Sequence, residues 1–232
     1  MKKIFVLSGA GVSKESGIPT FRDSKDGLWH NYNIDEVASI EGWKKNPELV
    51  LKFYNDRRKA VQNCEPNEAH YCLAKLQEKY EINIFTQNID DLHERAGSKN
   101  VYHIHGKITQ ARSVKDEDTL IDIGYNDIKL GDLAPDGGQL RPHVVFFGEF
   151  LYDEELAYKT CAQSDIVISV GTSLSVYPAA KLPSRYRRVN APLYIVDPGE
   201  FPFIEMFKPP VRHIKKPATD GMKELLEILM GE

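Results

Sequence analysis

The sequence is poor in cysteine. Three occur in 232 residues, Cys64, Cys72 and Cys161, with no C-x-x-C among them. An odd, scattered set excludes a disulfide framework and points to a reducing compartment, so a cytoplasmic location is expected. Cys64, His70 and Cys72 lie close together, but their spacing matches no tetrahedral zinc pattern. Long apolar runs are also missing. None approaches the ~18 residues that a membrane-spanning helix needs, so no membrane partner is expected. Positive charge is not in excess: the net charge of −4 argues against a general nucleic-acid binder, and no specific nucleic acid is expected as a partner. Internal repeats and low-complexity segments are absent. The opening M-K-K-I-F-V-L-S-G-A-G-V-S resembles a signal peptide only superficially. Its apolar part is short, holds two glycines and runs into Lys14-Glu15, so a buried strand and a glycine loop explain it better.

What is present is an α/β rhythm. The apolar runs I-F-V-L (4–7), I-N-I-F (82–85), D-I-V-I-S-V (165–170) and P-L-Y-I-V (192–196) each lead into turn residues. Short strands that are apolar on both sides suit a parallel sheet covered by helices on both faces. Residues 67–80 carry Ala69, Leu73, Leu76 and Tyr80 at helical spacing, and T-D-G-M-K-E-L-L-E-I-L-M reads as a closing helix. Residues 24–62 look helical, and 107–141 are polar and turn-rich. Both break the rhythm and are expected to form a smaller inserted lobe. In N-P-E-L-V-L-K-F-Y-N-D-R-R-K-A-V (46–61), Asn46 is a good N-cap and Pro47 suits the first turn. Leu49, Val50, Phe53, Tyr54, Ala60 and Val61 fall on one face, with Arg57 near its middle. Lys52, Asn55, Asp56, Arg58 and Lys59 are expected to point elsewhere.

G-A-G-V-S-K-E-S-G (9–17) follows the first strand. Gly9, Ala10 and Gly11 allow a tight turn and close approach of a pyrophosphate, favoured by the start of the next helix. The dehydrogenase fingerprint G-x-G-x-x-G fails, because Lys14 takes the third glycine position. The continuation S-G-I-P-T-F-R-D (16–23) is more specific. G-A-G-V-S-K-E-S-G-I-P-T-F-R resembles the signature of the sirtuins, the NAD-dependent protein deacylases. In order along the chain, T-Q-N-I-D (86–90), H-I-H-G (103–106), R-P-H-V-V-F-F-G-E (141–149) and G-T-S-L-S-V-Y-P-A-A (171–180) resemble four further family motifs. The resemblance implies one catalytic domain, 1–232, of α/β class: a Rossmann-like parallel sheet with helices on both faces plus a smaller inserted lobe. The large lobe would span about 1–23, 63–106 and 142–232, and the small lobe about 24–62 and 107–141.

It also implies a reaction. The acyl oxygen of a modified lysine attacks the nicotinamide ribose of NAD, nicotinamide leaves, and a histidine acts as general base on a ribose hydroxyl. Lysine and O-acyl-ADP-ribose are released. His105, before Gly106, matches the catalytic histidine, and imidazole suits proton transfer at neutral pH. His103 would share its face on a strand, so composition alone does not separate the two. A structural role fits His30, His70, His93, His143 and His213 better. Gln87, Asn88 and Asp90 stand at a strand's C-terminal end, where open α/β sheets bind ligands. By resemblance, Asn88 orients the ribose or a water and Asp90 holds the carboxamide, while Asp91 fits helix capping. Phe21 would screen the reactive centre and Arg22 support the phosphate loop. Ser13, Gly171, Thr172 and Ser173 would contact phosphate or ribose; turn capping explains Ser175 equally well. The substrate strand would include Val145, Phe146, Phe147 and Gly148, with the acylated peptide added alongside.

Two departures from the family pattern matter. Sirtuins usually carry two cysteine pairs for zinc after the catalytic histidine, and here no cysteine lies between Cys72 and Cys161. A lobe without metal is therefore expected. Asp197 stands where the family commonly has Asn on the adenosine ribose; a carboxylate can accept both ribose hydroxyls. Finally, Y-x-x-R at Tyr54 and Arg57 resembles the sirtuins that remove succinyl and malonyl groups, since a guanidinium pairs bidentately with a carboxylate. The expected activity is NAD-dependent deacetylation, with desuccinylation or demalonylation beside it. An NAD hydrolase or ADP-ribosyltransferase on the same fold is the alternative.

Overall fold

The computed structural model describes residues 1–20, 32–201, 204 and 207–231. In chain order these form strand β1 (Lys3–Ser8), helices α1 (Ile34–Val37), α2 (Ile40–Lys45), α3 (Pro47–Gln62) and α4 (Glu68–Leu76), strand β2 (Glu81–Thr86), helix α5 (Leu92–Arg95), and strands β3 (Val101–His103), β4 (Gly106–Ser113), β5 (Leu120–Asp122) and β6 (Leu140–Val144). Helix α6 (Glu154–Gln163), strands β7 (Ile166–Val170), β8 (Leu193–Val196) and β9 (Val211–Ile214), and helix α7 (Ala218–Gly231) complete the chain.

Six strands form one parallel sheet in the order β3-β2-β1-β7-β8-β9. The order reverses at β1, where the chain turns from building one half of the sheet to building the other. Such a switch point opens a crevice at the strands' C-terminal ends. Successive side chains of a strand point to opposite faces, and both faces of this sheet are dry. Ile4 and Val6 pack with Leu73 and Leu76 of α4 and Met222, Leu225 and Leu229 of α7. Phe5 and Leu7 pack with Ala157 and Cys161 of α6 and with Leu182. The parallel sheet expected from the doubly apolar runs is therefore covered on both sides.

Strands β3 and β9 were invisible to the apolar-run criterion, because each sits at a sheet edge with only partial burial. The helix expected over 67–80 ends at Leu76. Tyr80 follows in a turn, buried, with its hydroxyl donating to the Leu229 carbonyl at 2.6 Å. The polar stretch 107–141 contains strands: β5, β4 and β6 form a three-stranded antiparallel sheet in that order. Against it packs α3, capped by the Asn46 side chain accepting from the Leu49 amide at 3.1 Å.

On α3, Val50, Phe53, Tyr54 and Val61 are buried as the helical spacing requires, but Ala60 is exposed. Arg58, expected to point away, is fully buried. Its Nε donates to the Ile108 carbonyl and its Nη1 to Asn55 Oδ1, both at 2.7 Å. A residue on the outer side of an isolated helix becomes interior when a sheet is laid on that side. Burial lowers its pKa to about 10.

Candidate active site

The loop after β1 leans on the loop after β7. The Gly9 amide donates to the Val170 carbonyl at 3.1 Å and the Gly11 amide to the Gly171 carbonyl at 2.8 Å. Gly171 has φ +61, and a Cβ there would lie 2.2 Å from the Val12 nitrogen. Only glycine permits this approach. Among the described residues up to 20 no full helix follows the loop, where the start of one was expected. Ala10–Val12 and Lys14–Ser16 are single 3-10 turns, too short to present a helix dipole.

Ser13 is fully buried beneath this loop. Its hydroxyl donates to Asp90 Oδ2 at 3.0 Å and accepts from Asn88 Nδ2 at 3.0 Å. Asp90 Oδ1 accepts from the Leu92 amide at 3.2 Å. Asp90 thus makes the helix-start contact expected of Asp91, whose side chain instead accepts from the Tyr125 hydroxyl at 2.7 Å. Burial raises the Asp90 pKa, opposed by the hydrogen bonds from Leu92 and Ser13.

His103 and His105 do not share a strand face. β3 stops at His103, and a turn carries His105 into Gly106, whose φ is +84. A Cβ on Gly106 would lie 2.1 Å from the His143 carbonyl oxygen, so β6 passes against the backbone there. His105 Nδ1 donates to the Gln87 carbonyl at 2.8 Å. The proton is thereby fixed on Nδ1, and Nε2 keeps its lone pair. Burial lowers the His105 pKa below the ordinary 6.5, against the hydrogen bond to Gln87. His103 is spent on structure: its ring nitrogens meet the Asn88 carbonyl at 3.0 Å and Glu94 Oε1 at 2.9 Å, and Lys107 donates to the same Glu94 oxygen at 2.5 Å. Burial would raise the Glu94 pKa, but His103 and Lys107 hold it at about 2.

Gln87 serves twice, since its side chain donates to Thr172 Oγ1 at 3.0 Å and so ties the β2 and β7 loops. Ser173 is exposed and bonded to Ser175 at 2.8 Å. Asp197, after β8, accepts from the Gly199 amide at 2.8 Å. Phe21, Arg22 and His30 lie outside the described residues.

The segment expected as a substrate strand is only partly one. β6 ends at Val144, and the amides of Val145, Phe146 and Phe147 already donate to the His105 carbonyl, Glu149 Oε2 and the Ala38 carbonyl, at 2.9, 2.7 and 2.8 Å. Phe147 and Gly148 are exposed, but the Phe146 ring is buried against Tyr54 and Trp43 and under the Arg141 guanidinium, 3.7 Å from its centroid. Phe146 therefore backs the wall rather than facing outward. Glu149 clamps this loop: Arg112 and Arg141 each reach its Oε1 at 2.7 Å. Sequence reading missed this clamp: Arg141 and Glu149 bracket one motif, but Arg112 comes from β4, 37 residues before Glu149, and only the fold brings the three together.

Tyr54 is buried in the same wall, and burial pushes its phenol up to about 12. Arg57 is half-buried, its guanidinium 5.6 Å from the Phe53 centroid and 5.9 Å from that of Tyr54. Burial lowers its pKa, and Tyr54 and Asp90 lie close enough to oppose the shift.

The Sir2 family profile matches residues 9–178. The chain belongs to the Sir2 family. It is similar to the NAD-dependent protein deacylase of Helicobacter pylori strain ATCC 700392 / 26695, 50% identical over 198 residues that cover 85% of each chain. It is 40% identical over 242 residues to the NAD-dependent protein deacylase of Bacteroides thetaiotaomicron, with 99% of each covered. Among solved structures, a Sir2 homolog–NAD complex superposes with a TM-score of 0.86 at 37% identity, covering 99% of this chain and 90% of that one. In this Sir2-family chain the switch point of the sheet lies between β1 and β7. Among the described residues no helix is long and apolar enough to cross a membrane.

Proposed function

We propose that this protein is an NAD-dependent protein-lysine deacylase, with His105 as its general base. One observation carries the assignment: His105 holds its proton on Nδ1, against the Gln87 carbonyl, beside a largely buried polar network of Ser13, Asn88 and Asp90, with Gln87 itself bonded to Thr172. A neutral imidazole with a bare Nε2 can take a proton from a hydroxyl. The donor set fits NAD. Hydroxyls, amides and a buried carboxylate suit ribose hydroxyls and a carboxamide, and the loop of Gly9, Ala10 and Gly11, with no bulky side chain, suits close approach of the pyrophosphate.

When bound, NAD supplies a ribose from which nicotinamide departs and whose hydroxyls accept the acyl group. Asn88 would orient the ribose or a water and Asp90 the carboxamide. Ser13, Gly171, Thr172, Ser173 and Asp197 would hold the remaining ribose and phosphate groups, with Phe21 and Arg22 over the reactive end. Val145, Phe147 and Gly148 would meet the peptide, with Phe146 as backing.

The acyl preference we propose includes dicarboxylic groups. It is supported by Arg57, a cation partly withdrawn from water beside a buried phenol and near enough to Asp90 to feel its charge. We further propose that the inserted lobe, about 24–62 and 107–141, folds without zinc. The support is the lack of cysteine between Cys72 and Cys161 and an apolar interior of Leu51, Ala111, Ile128, Ala134 and Leu140.

The test is mass spectrometry of acetyl-, succinyl- and malonyl-lysine peptides incubated with NAD. Loss of each acyl group with one nicotinamide released per lysine is expected. NAD consumption with intact peptides would instead indicate hydrolysis or transfer of ADP-ribose and would sink the proposal.

A further inference from the structure

His70 looks like an ordinary buried helix residue. It is fully buried near the N-terminus of α4, and its Nδ1 accepts from the Asn67 backbone amide at 3.2 Å. A backbone amide can only donate, so Nδ1 carries no proton. In a neutral ring the proton must then sit on Nε2. That nitrogen faces Ser13 Oγ at 3.5 Å, the outer limit of a hydrogen bond. The ring is neutral at physiological pH, since burial lowers its pKa to about 4.

The consequence falls on Ser13. Its oxygen accepts from Asn88 Nδ2 and from His70 Nε2, which leaves its single proton for Asp90 Oδ2. With the opposite tautomer, Ser13 could donate to His70 and leave that buried carboxylate oxygen unpaired. The Asn67 amide forbids this. Asn67 is itself fastened to the glycine-loop side, its Nδ2 donating to the Val12 carbonyl at 2.8 Å and to Ser16 Oγ at 2.9 Å. The start of α4, the turn after the glycine loop and the Asn88–Asp90 pair therefore form one directed chain of hydrogen bonds.

We infer that His70 is a positioning residue for nicotinamide recognition: its Nε2–H sets the Ser13 hydroxyl toward Asp90, and so presents Asp90 and Asn88 in the geometry that holds the carboxamide and ribose. This rests on the proposed role of Asp90 in carboxamide binding. Nothing in the sequence separates His70 from a helix-capping histidine, and both roles are present. They use different ring nitrogens, so they can be separated.

Two substitutions do this. His70→Asn keeps an acceptor near Nδ1 for the Asn67 amide but removes the donor to Ser13. His70→Gln places a donor near the Nε2 position and loses the capping acceptor. NAD and nicotinamide binding are measured by calorimetry, with KM for NAD, kcat and Tm alongside. His70→Asn is expected to keep a near-normal Tm while weakening NAD and nicotinamide binding about tenfold, which corresponds to ~1.4 kcal/mol. His70→Gln is expected to lower Tm yet bind within about twofold of the parent. Binding that tracks Tm in both variants, or that changes in neither, would overturn the inference and leave His70 as a cap. A parent protein that binds no NAD would instead overturn the functional reading on which it rests, and the inference with it.

Discussion

His105 donates its Nδ1–H to the Gln87 carbonyl across 2.8 Å, and the same Gln87 reaches Thr172 with its side chain. The ring we propose as base and the loop after β7 are thereby set by one residue. His105→Ala should reduce deacylation by about 10²–10⁴-fold, while NAD affinity stays within a few-fold of the parent. The pH profile of kcat/KM should have its acid limb below the ordinary histidine value of 6.5, because burial disfavours the charged ring. An inflection at or above 6.5, or near-normal turnover in the variant, would remove His105 from the role.

Arg57→Met keeps most of the side-chain volume and removes the charge. A charge-assisted hydrogen bond contributes roughly 1.5–3 kcal/mol, so KM for a succinyl-lysine peptide should rise about 10–100-fold. KM for the acetyl peptide should change little. Parallel changes for both peptides would make Arg57 a structural residue stacked on Phe53 and Tyr54.

Glu149→Gln should destabilise the protein by about 3 kcal/mol, since it leaves the nearly buried Arg141 guanidinium without its counter-charge and Arg112 with only the exposed Glu117. Burial pushes the Glu149 pKa up, but the two arginines and the Phe146 amide bring it below the usual range. Equilibrium urea unfolding reads the change. A loss under ~1 kcal/mol would mean that solvent screens the cluster.

Acid should unfold the protein through its buried imidazoles. Burial holds His70 and His143 at about 4 and His93 well below 6.5. Between pH 6.5 and 4 the unfolded chain binds more protons than the native one, so stability rises with pH across that window. It is fully present above 6.5 and is lost as pH falls through it. At pH 5.5 the three together should cost roughly 4 kcal/mol, and Tm should fall by on the order of 10 °C from its value at pH 7.5. A flat Tm over this range would contradict the neutral buried state.

Prolonged treatment with a strong zinc chelator should leave Tm and deacylation unchanged, and elemental analysis should find less than ~0.1 zinc per chain. Structural zinc contributes on the order of 10 kcal/mol to a small module, so a zinc-dependent lobe would unfold visibly under the same treatment.

Where the sequence was legible, the physical cause was local. Glycines at 9, 11, 106 and 171 are required by backbone contacts of 2–3 Å that any Cβ would block. The doubly apolar runs could bury both faces only inside a covered parallel sheet. The inserted lobe was legible only as an interruption. Its strands β4 and β6 bury polar residues such as Arg112, Ser113, Arg141 and His143, so no apolar run marks them, and they pair across an intervening polar loop. Arg58 was read as exposed because helical periodicity reports one buried side, whereas α3 is buried on two.

The sequence alone determined the family, the crevice and the candidate base, because those depend on residues adjacent in the chain and on backbone constraints. The tertiary structure decided the protonation geometry. Whether His103 or His105 keeps a free nitrogen follows from which carbonyls and carboxylates surround each ring. The direction of the Ser13 proton follows from an amide 54 residues further along the chain. Hydrogen-bond direction is set by the partners a group meets in space, and spacing along the chain does not encode those partners.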